Sequence, residues 1–126
     1  MNRPITVLLV SPDTDVARLV TVDQELEAFQ ELVGGDIEGL TLGEVSAYLN
    51  TNGKALGLPL NAYADALIRD LLADTGHRLL PGDAIVGPVA FMGPPDRAGY
   101  DTSIPAETIA RAERLGLTIE KGASDG

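Results

Sequence analysis

His77 is the single histidine of the chain, so any Ser-His-Asp relay would have to run through it and a metal site built on several imidazoles is impossible. It directly follows Gly76, which reads as the end of a helix, and the expected place for its imidazole is a solvated loop near terminal carbonyls. There is no cysteine, hence no thiolate nucleophile, disulfide framework or cysteine-based zinc or iron–sulfur site. Gly53-Lys54 lacks the spacing and the following hydroxyl of a phosphate-binding loop, and no G-x-G-x-x-G is present. Asp13 and Asp15 lack the remaining ligands of a calcium loop and read as turn acids. Glu25, Glu27, Glu31, Asp36 and Glu38 have no sequence-readable partner that would set one as acid and another as base. The expectation is a protein that is not an enzyme and needs no cofactor or metal.

What remains is binding. Asn50, Lys54 and Asn61 flank a glycine-rich crossover, where asparagine amides both donate and accept, and they form the candidate ligand-binding set. The same asparagines, with Asn52, also suit turns and helix caps. Nineteen acids against nine bases give a formal net charge of −10. Nine of the acids fall between Asp13 and Glu44, where Arg18 is the one base, and Glu27, Glu31, Asp36 and Glu38 form the candidate partner-binding set. Such a field excludes direct binding to nucleic acid or an anionic membrane, because phosphate contacts need a basic footprint. The leading expectation is a small acidic accessory protein with a protein partner, engaged through the acidic N-terminal third or the Gly93–Ser103 loop. One alternative is a DNA mimic that occupies a DNA-binding protein, which requires carboxylates spaced along one surface. The other is a small-ligand or nucleotide-binding module at Asn50, Lys54 and Asn61.

The elements that must position these residues follow from periodicity and punctuation. Ile5 to Val10 is apolar and β-branched without alternation, as in a central strand covered on both faces. A second strand is expected at Arg18–Val22. Thr21 and Gln24 have capping-box spacing ahead of a helix from about Asp23 that buries Leu26, Phe29, Leu32 and Val33 and stops at Gly34-Gly35. Asp36–Leu42 and Val45–Asn50 read as an antiparallel pair. Asn52-Gly53 has the signature of a type I′ turn closing a hairpin. After Gly57-Leu58-Pro59-Leu60, Asn61 suits the N-cap of an amphipathic helix presenting Tyr63, Ala64, Leu67, Ile68, Leu71 and Leu72. His77–Asp83 reads as a loop, Ala84–Met92 as a strand kept at an edge or bulge by Pro88, and Gly93–Ser103 as a further loop. Pro105 fits the first turn of a last helix with Ile109, Ala112 and Leu115 buried, and Leu117–Glu120 an edge strand. Tyr48, Tyr63, Phe29 and Phe91 are expected in the core.

With 126 residues, this is one α+β domain over residues 1–120, a mostly antiparallel sheet packed with two or three helices, and a flexible tail at 121–126. The apolar run at the start is too short for a signal peptide and nothing reaches transmembrane length, so the expected location is cytoplasmic.

Three segments in this order form a composite pattern: Leu26-Glu27-Ala28-Phe29-Gln30-Glu31-Leu32-Val33-Gly34-Gly35-Asp36-Ile37-Glu38, then Asn50 with Asn52 to Asn61, then Asp83-Ala84-Ile85-Val86-Gly87. Over roughly residues 5–93 the chain resembles the domain-of-unknown-function family 3846, small proteins met in bacteriophages, mobile elements and bacteria. The resemblance implies a shared fold and a phage or mobile-element setting, and no activity. Members often carry Arg directly after the Asn that follows the Pro; here that position is Ala62, so no anion site built on such an arginine is expected.

Overall fold

The uninterrupted apolar run predicted to be a covered strand forms β1 (Ile5–Val10), and its alternate side chains enter two separate cores. In the computed structural model, which describes residues 3–77 and 83–121, the chain continues through β2 (Val16–Val22), α1 (Leu26–Val33), β3 (Ile37–Thr41), β4 (Ser46–Asn50), α2 (Ala62–Ala73), β5 (Val89–Met92), α3 (Ala106–Arg114) and β6 (Thr118–Lys121). The strands make one sheet in the order β3-β4-β5-β1-β2-β6, antiparallel except for the β2/β6 pair. This is the expected α+β class, with three helices among the described residues.

Period-two alternation divides the apolar side chains between the faces of the sheet. Leu8, Val10, Ala47, Val89 and Phe91 point to the side covered by α2 and α3, where they meet Ala64, Leu67, Ile68 and Ala112. Ile5, Val7, Val22, Ala90 and Met92 point to the other side, where α1 contributes Phe29. The central strands are therefore buried on both faces, which explains why β1 shows no polar alternation.

Helix α2 follows the predicted stripe: Ala64, Leu67, Ile68 and Leu71 are buried, with Tyr63 and Leu72 packed against them. Asn61 caps it by accepting from the Ala64 N–H at 3.0 Å. Gly76, at φ +79°, ends it, and the His77 N–H donates back to the Leu72 carbonyl at 3.1 Å.

Several local expectations are corrected. Asn52-Gly53 does not close a type I′ hairpin, since neither residue has positive φ. Residues 51–57 instead wind as a helical turn: Leu56 N–H donates to Asn52 O at 2.9 Å, and Gly57 at φ +71° reverses the chain. The winding starts where the Asn50 side chain accepts the Asn52 N–H at 2.8 Å, a local bond that competes with the hairpin turn. Glycine is needed at 53 for space, because a Cβ there would lie 2.9 Å from Val86 Cγ2. Pro88 does not put its strand at an edge: β5 lies between β4 and β1, and Pro88 stands just before its first paired residue, where no ladder N–H is demanded. The Thr21/Gln24 capping box does not form; Glu25 holds the N-cap position without a side-chain cap, and Gln24 donates to the Arg3 carbonyl. Helix α1 therefore begins at Leu26, which is 54% exposed rather than buried. Pro105 occupies the N-cap of α3 rather than its first turn, and Thr108 joins Ala112 as a buried residue while Ile109 and Leu115 are half-buried. Lys121, expected in the tail, ends β6; the rest of that tail, and Arg78 to Gly82 of the His77–Asp83 loop, lie outside the described residues.

Candidate functional site

The three candidate ligand residues do not converge. Asn50 and Lys54 line one cleft of about 210 Å³ with Glu38, Thr51 and Asp83 around a floor of Leu40, Leu49, Ile85 and Val86. Asn50 is buried and its side chain is engaged on both ends, Nδ2 donating to the Val33 carbonyl at 3.2 Å and Oδ1 accepting from Asn52. Lys54 is exposed, with Nζ 3.8 Å from Asp83 Oδ1, an ion pair of the weak surface kind. Asn61 belongs to a different recess beside α2, and its Nδ2 donates to the carbonyls of Val10 and Gly87. Both asparagines thus hold backbone together, and Lys54 alone of the three has its polar end in solvent.

His77 is exposed, with Nδ1 2.9 Å from Thr75 Oγ1 at the end of α2. It does not meet Lys54, whose cleft lies at the β3–β4 end of the sheet. Among the described residues no group of three or more His, Asp and Glu side chains is placed to hold a metal ion.

The acidic candidates are also divided. Glu27 and Glu31 are exposed on α1, and Asp36, just before β3, accepts from Gln30 Nε2 at 3.0 Å. Glu38 is on the opposite face of the sheet, in the cleft with Leu40 and Leu49, and Glu44 opens on that face too, beside Leu71 and Arg111. Asp15 sits next to β6, its carbonyl accepting from Thr118 N–H. These six of the nine acids in the N-terminal third therefore spread over both faces and one edge.

A different surface brings together two segments that sequence reasoning named separately. The start of α1 and the tip of the 93–103 loop border a recess of about 240 Å³ lined by Gln24, Glu25, Leu26, Phe29, Ile37, Tyr48, Gly99, Tyr100 and Asp101. Leu26 is 54% and Tyr100 48% exposed, two of the few large apolar side chains left in solvent among the described residues. Tyr100 is held by a turn closed on Asp96, whose carboxylate accepts the N–H groups of Ala98 and Tyr100 while its own N–H donates to the Tyr100 carbonyl. The floor is equally fixed. Phe29 and Tyr48 meet edge to face with ring centroids 5.0 Å apart, and Tyr48 O–H donates to Asp101 Oδ2 at 2.9 Å.

Sequence reading missed this grouping because Leu26 counted as a core position and Tyr48 as a core aromatic. The available signal was an aromatic set in the loop run Gly99-Tyr100-Asp101, where turn chemistry has no use for one.

Burial and then the Asp101 carboxylate, through its hydrogen bond and charge, disfavour the Tyr48 phenolate and push its pKa up to about 12. A folded pKa above the unfolded value gives stability that is complete below pH 10 and is lost as pH climbs from there toward 12. Ultraviolet phenolate titration should show a late-ionising tyrosine that disappears in Tyr48→Phe. Ionisation in the ordinary tyrosine range would mean that Tyr48 is neither buried nor bonded to Asp101 in solution.

Among the described residues no helix is long and apolar enough to cross a membrane. Comparison with curated proteins and with solved structures gives no match. The family model described as Domain of unknown function (DUF3846) does match, over residues 5–116, which extends the likeness beyond β5 through α3 and covers most of the chain. This protein belongs to that family.

Proposed function

We propose that this protein is a small acidic accessory protein that works by binding another protein in the cytoplasm, in a phage or mobile-element setting, and carries out no bond chemistry itself. The observation that carries the reading is the recess where Leu26 of α1 and Tyr100 of the 93–103 loop stand half-exposed over a fixed aromatic floor. Large apolar side chains left in solvent beside a buried floor are what protein interfaces use as anchors, and the backbone that carries Tyr100 is already fixed by the Asp96 turn. Two segments far apart in sequence, each a candidate for partner contact, meet there.

The competing readings draw less support. Phosphate mimicry needs carboxylates in one continuous array, whereas Glu27 and Glu38 occupy opposite faces. The cleft at Asn50 and Lys54, at about 210 Å³, is smaller than the roughly 300–1,000 Å³ of ordinary ligand pockets. Affinity capture from a host lysate, run in parallel with the wild type, Leu26→Asp and Tyr100→Ala, tests the proposal. The expected result is a protein that both variants lose while keeping the wild-type melting temperature to within a few degrees. A captured set identical for all three proteins would overturn it.

A further inference from the structure

Resting on the binding reading just given, we infer that the partner presents a basic segment to this recess, with a lysine or arginine flanking one large apolar side chain. The size of the recess points to a side chain, since about 240 Å³ lies below the range of pockets that enclose whole metabolites. Its polarity points to the flanking charge. Glu25 and Asp101 line it and no lysine or arginine does, while Glu27 follows Leu26 on the same exposed helix start. Asp101 is fixed by the Tyr48 hydroxyl, so its carboxylate is held in place before any partner arrives.

A cation arriving at this rim meets a charge whose orienting cost is already met within the fold, and the apolar residue beside it fills the gap between Leu26 and Tyr100. A second copy of this chain would bring like charge against like, with a formal −10 on each partner. Nucleic acid and anionic lipid meet the same repulsion.

Two synthetic peptides of equal length and leucine pattern, one Leu/Lys and one Leu/Glu, serve as probes, with binding followed by fluorescence anisotropy at low and at physiological salt. The Leu/Lys peptide should bind at least about tenfold more tightly, and Tyr100→Ala should cost it about tenfold or more, as loss of an interface anchor does. Asp101→Lys and, independently, Glu25→Lys should narrow or invert the preference, while Glu113→Lys on α3, on the opposite side of the sheet, should leave the ratio within about twofold. Raising the salt should weaken the Leu/Lys complex. Equal binding of the two peptides, or Leu/Lys binding indifferent to Tyr100→Ala but sensitive to Glu113→Lys, overturns the inference. Should the captured protein still be lost with Leu26→Asp while the peptides bind alike, the basic segment is refuted and the binding reading survives.

Discussion

Asn61→Asp will be less stable at neutral pH than Asn61→Ala, although aspartate is as good a helix cap as asparagine. Asn61 is 1% exposed and its amide works in two directions. Oδ1 accepts from Ala64 N–H at 3.0 Å, while Nδ2 donates to Val10 O at 3.0 Å and Gly87 O at 2.9 Å. Its own N–H also reaches Ile85 O at 2.8 Å, so one residue joins the end of β1, the approach to β5 and the start of α2. Alanine removes the cap, worth about 1 kcal/mol, and the two buried donations, for a combined loss on the order of 3 kcal/mol. Aspartate restores the cap and adds an attraction to the helix N-terminus. It also turns a carboxylate oxygen on two carbonyls in a buried site, where only the protonated acid can donate. The folded-state pKa of the new acid is therefore raised above its unfolded value, so its stability contribution is present at low pH and is lost as pH rises through the folded pKa. Urea melts of both variants between about pH 4 and pH 7 should show Asn61→Asp recovering towards the acid end and Asn61→Ala holding a nearly constant deficit against the wild type. If Asn61→Asp equals the wild type at neutral pH, the two donations to carbonyl oxygen do not exist in solution.

That residue also shows how far sequence carries the fold. The cap at Asn61 was legible because a cap is a local bond between a side chain and an amide three positions on. Its other two bonds reach Val10 and Gly87, 51 and 26 positions away, and no local pattern announces them. The same division runs through the molecule. The stripe of α2 and the double burial of β1 follow from periodicity, and both are present. The Asn52-Gly53 turn and the edge position of Pro88 were inferred from local preference, and each gave way to something else: the Asn50 side chain takes the Asn52 N–H in a competing local bond, and a strand in the middle of the sheet can begin one residue after a proline.

The candidate site was less legible than the fold for a related reason. Charge is visible in sequence but its side of the sheet is not, so Glu27 and Glu38 looked like one acidic set and stand on opposite faces. Leu26 satisfied the helical spacing of a buried residue, yet the helix starts there, and its first apolar position is left 54% exposed at the rim of a recess. Tyr100 became visible only once the loop around Asp96 had folded back against α1.

Gly93→Ala should be the other strongly destabilising change, and it links the fold to that loop. Gly93 is buried at the end of β5 and makes an isolated antiparallel bridge with Thr102, donating its N–H to Thr102 O at 2.9 Å. A Cβ at this position would lie 2.3 Å from Thr102 Oγ1 and 2.6 Å from the Ser103 carbonyl oxygen. The first contact can be relieved by turning a side chain, but the second is backbone and requires the 102–104 segment to move. That segment is itself fastened to β1, with Thr6 N–H donating to Ser103 Oγ at 3.0 Å and Ile104 N–H donating to Thr6 O at 2.9 Å, and it places Ile104 in the core. Overpacking of this kind costs about 1–3 kcal/mol, and the strand contacts that must give place Gly93→Ala at the upper end, a fall in melting temperature of roughly 5–10 °C. Thr102→Ala in the same chain should restore only part of the loss, because the carbonyl contact remains. The displacement also carries Asp101 away from Tyr48, so the tyrosine that ionises late in the wild type should ionise nearer its ordinary range in Gly93→Ala. A variant within about 0.5 kcal/mol of the wild type would show that the loop is not packed against β5, and the turn that carries Tyr100 would lose its support.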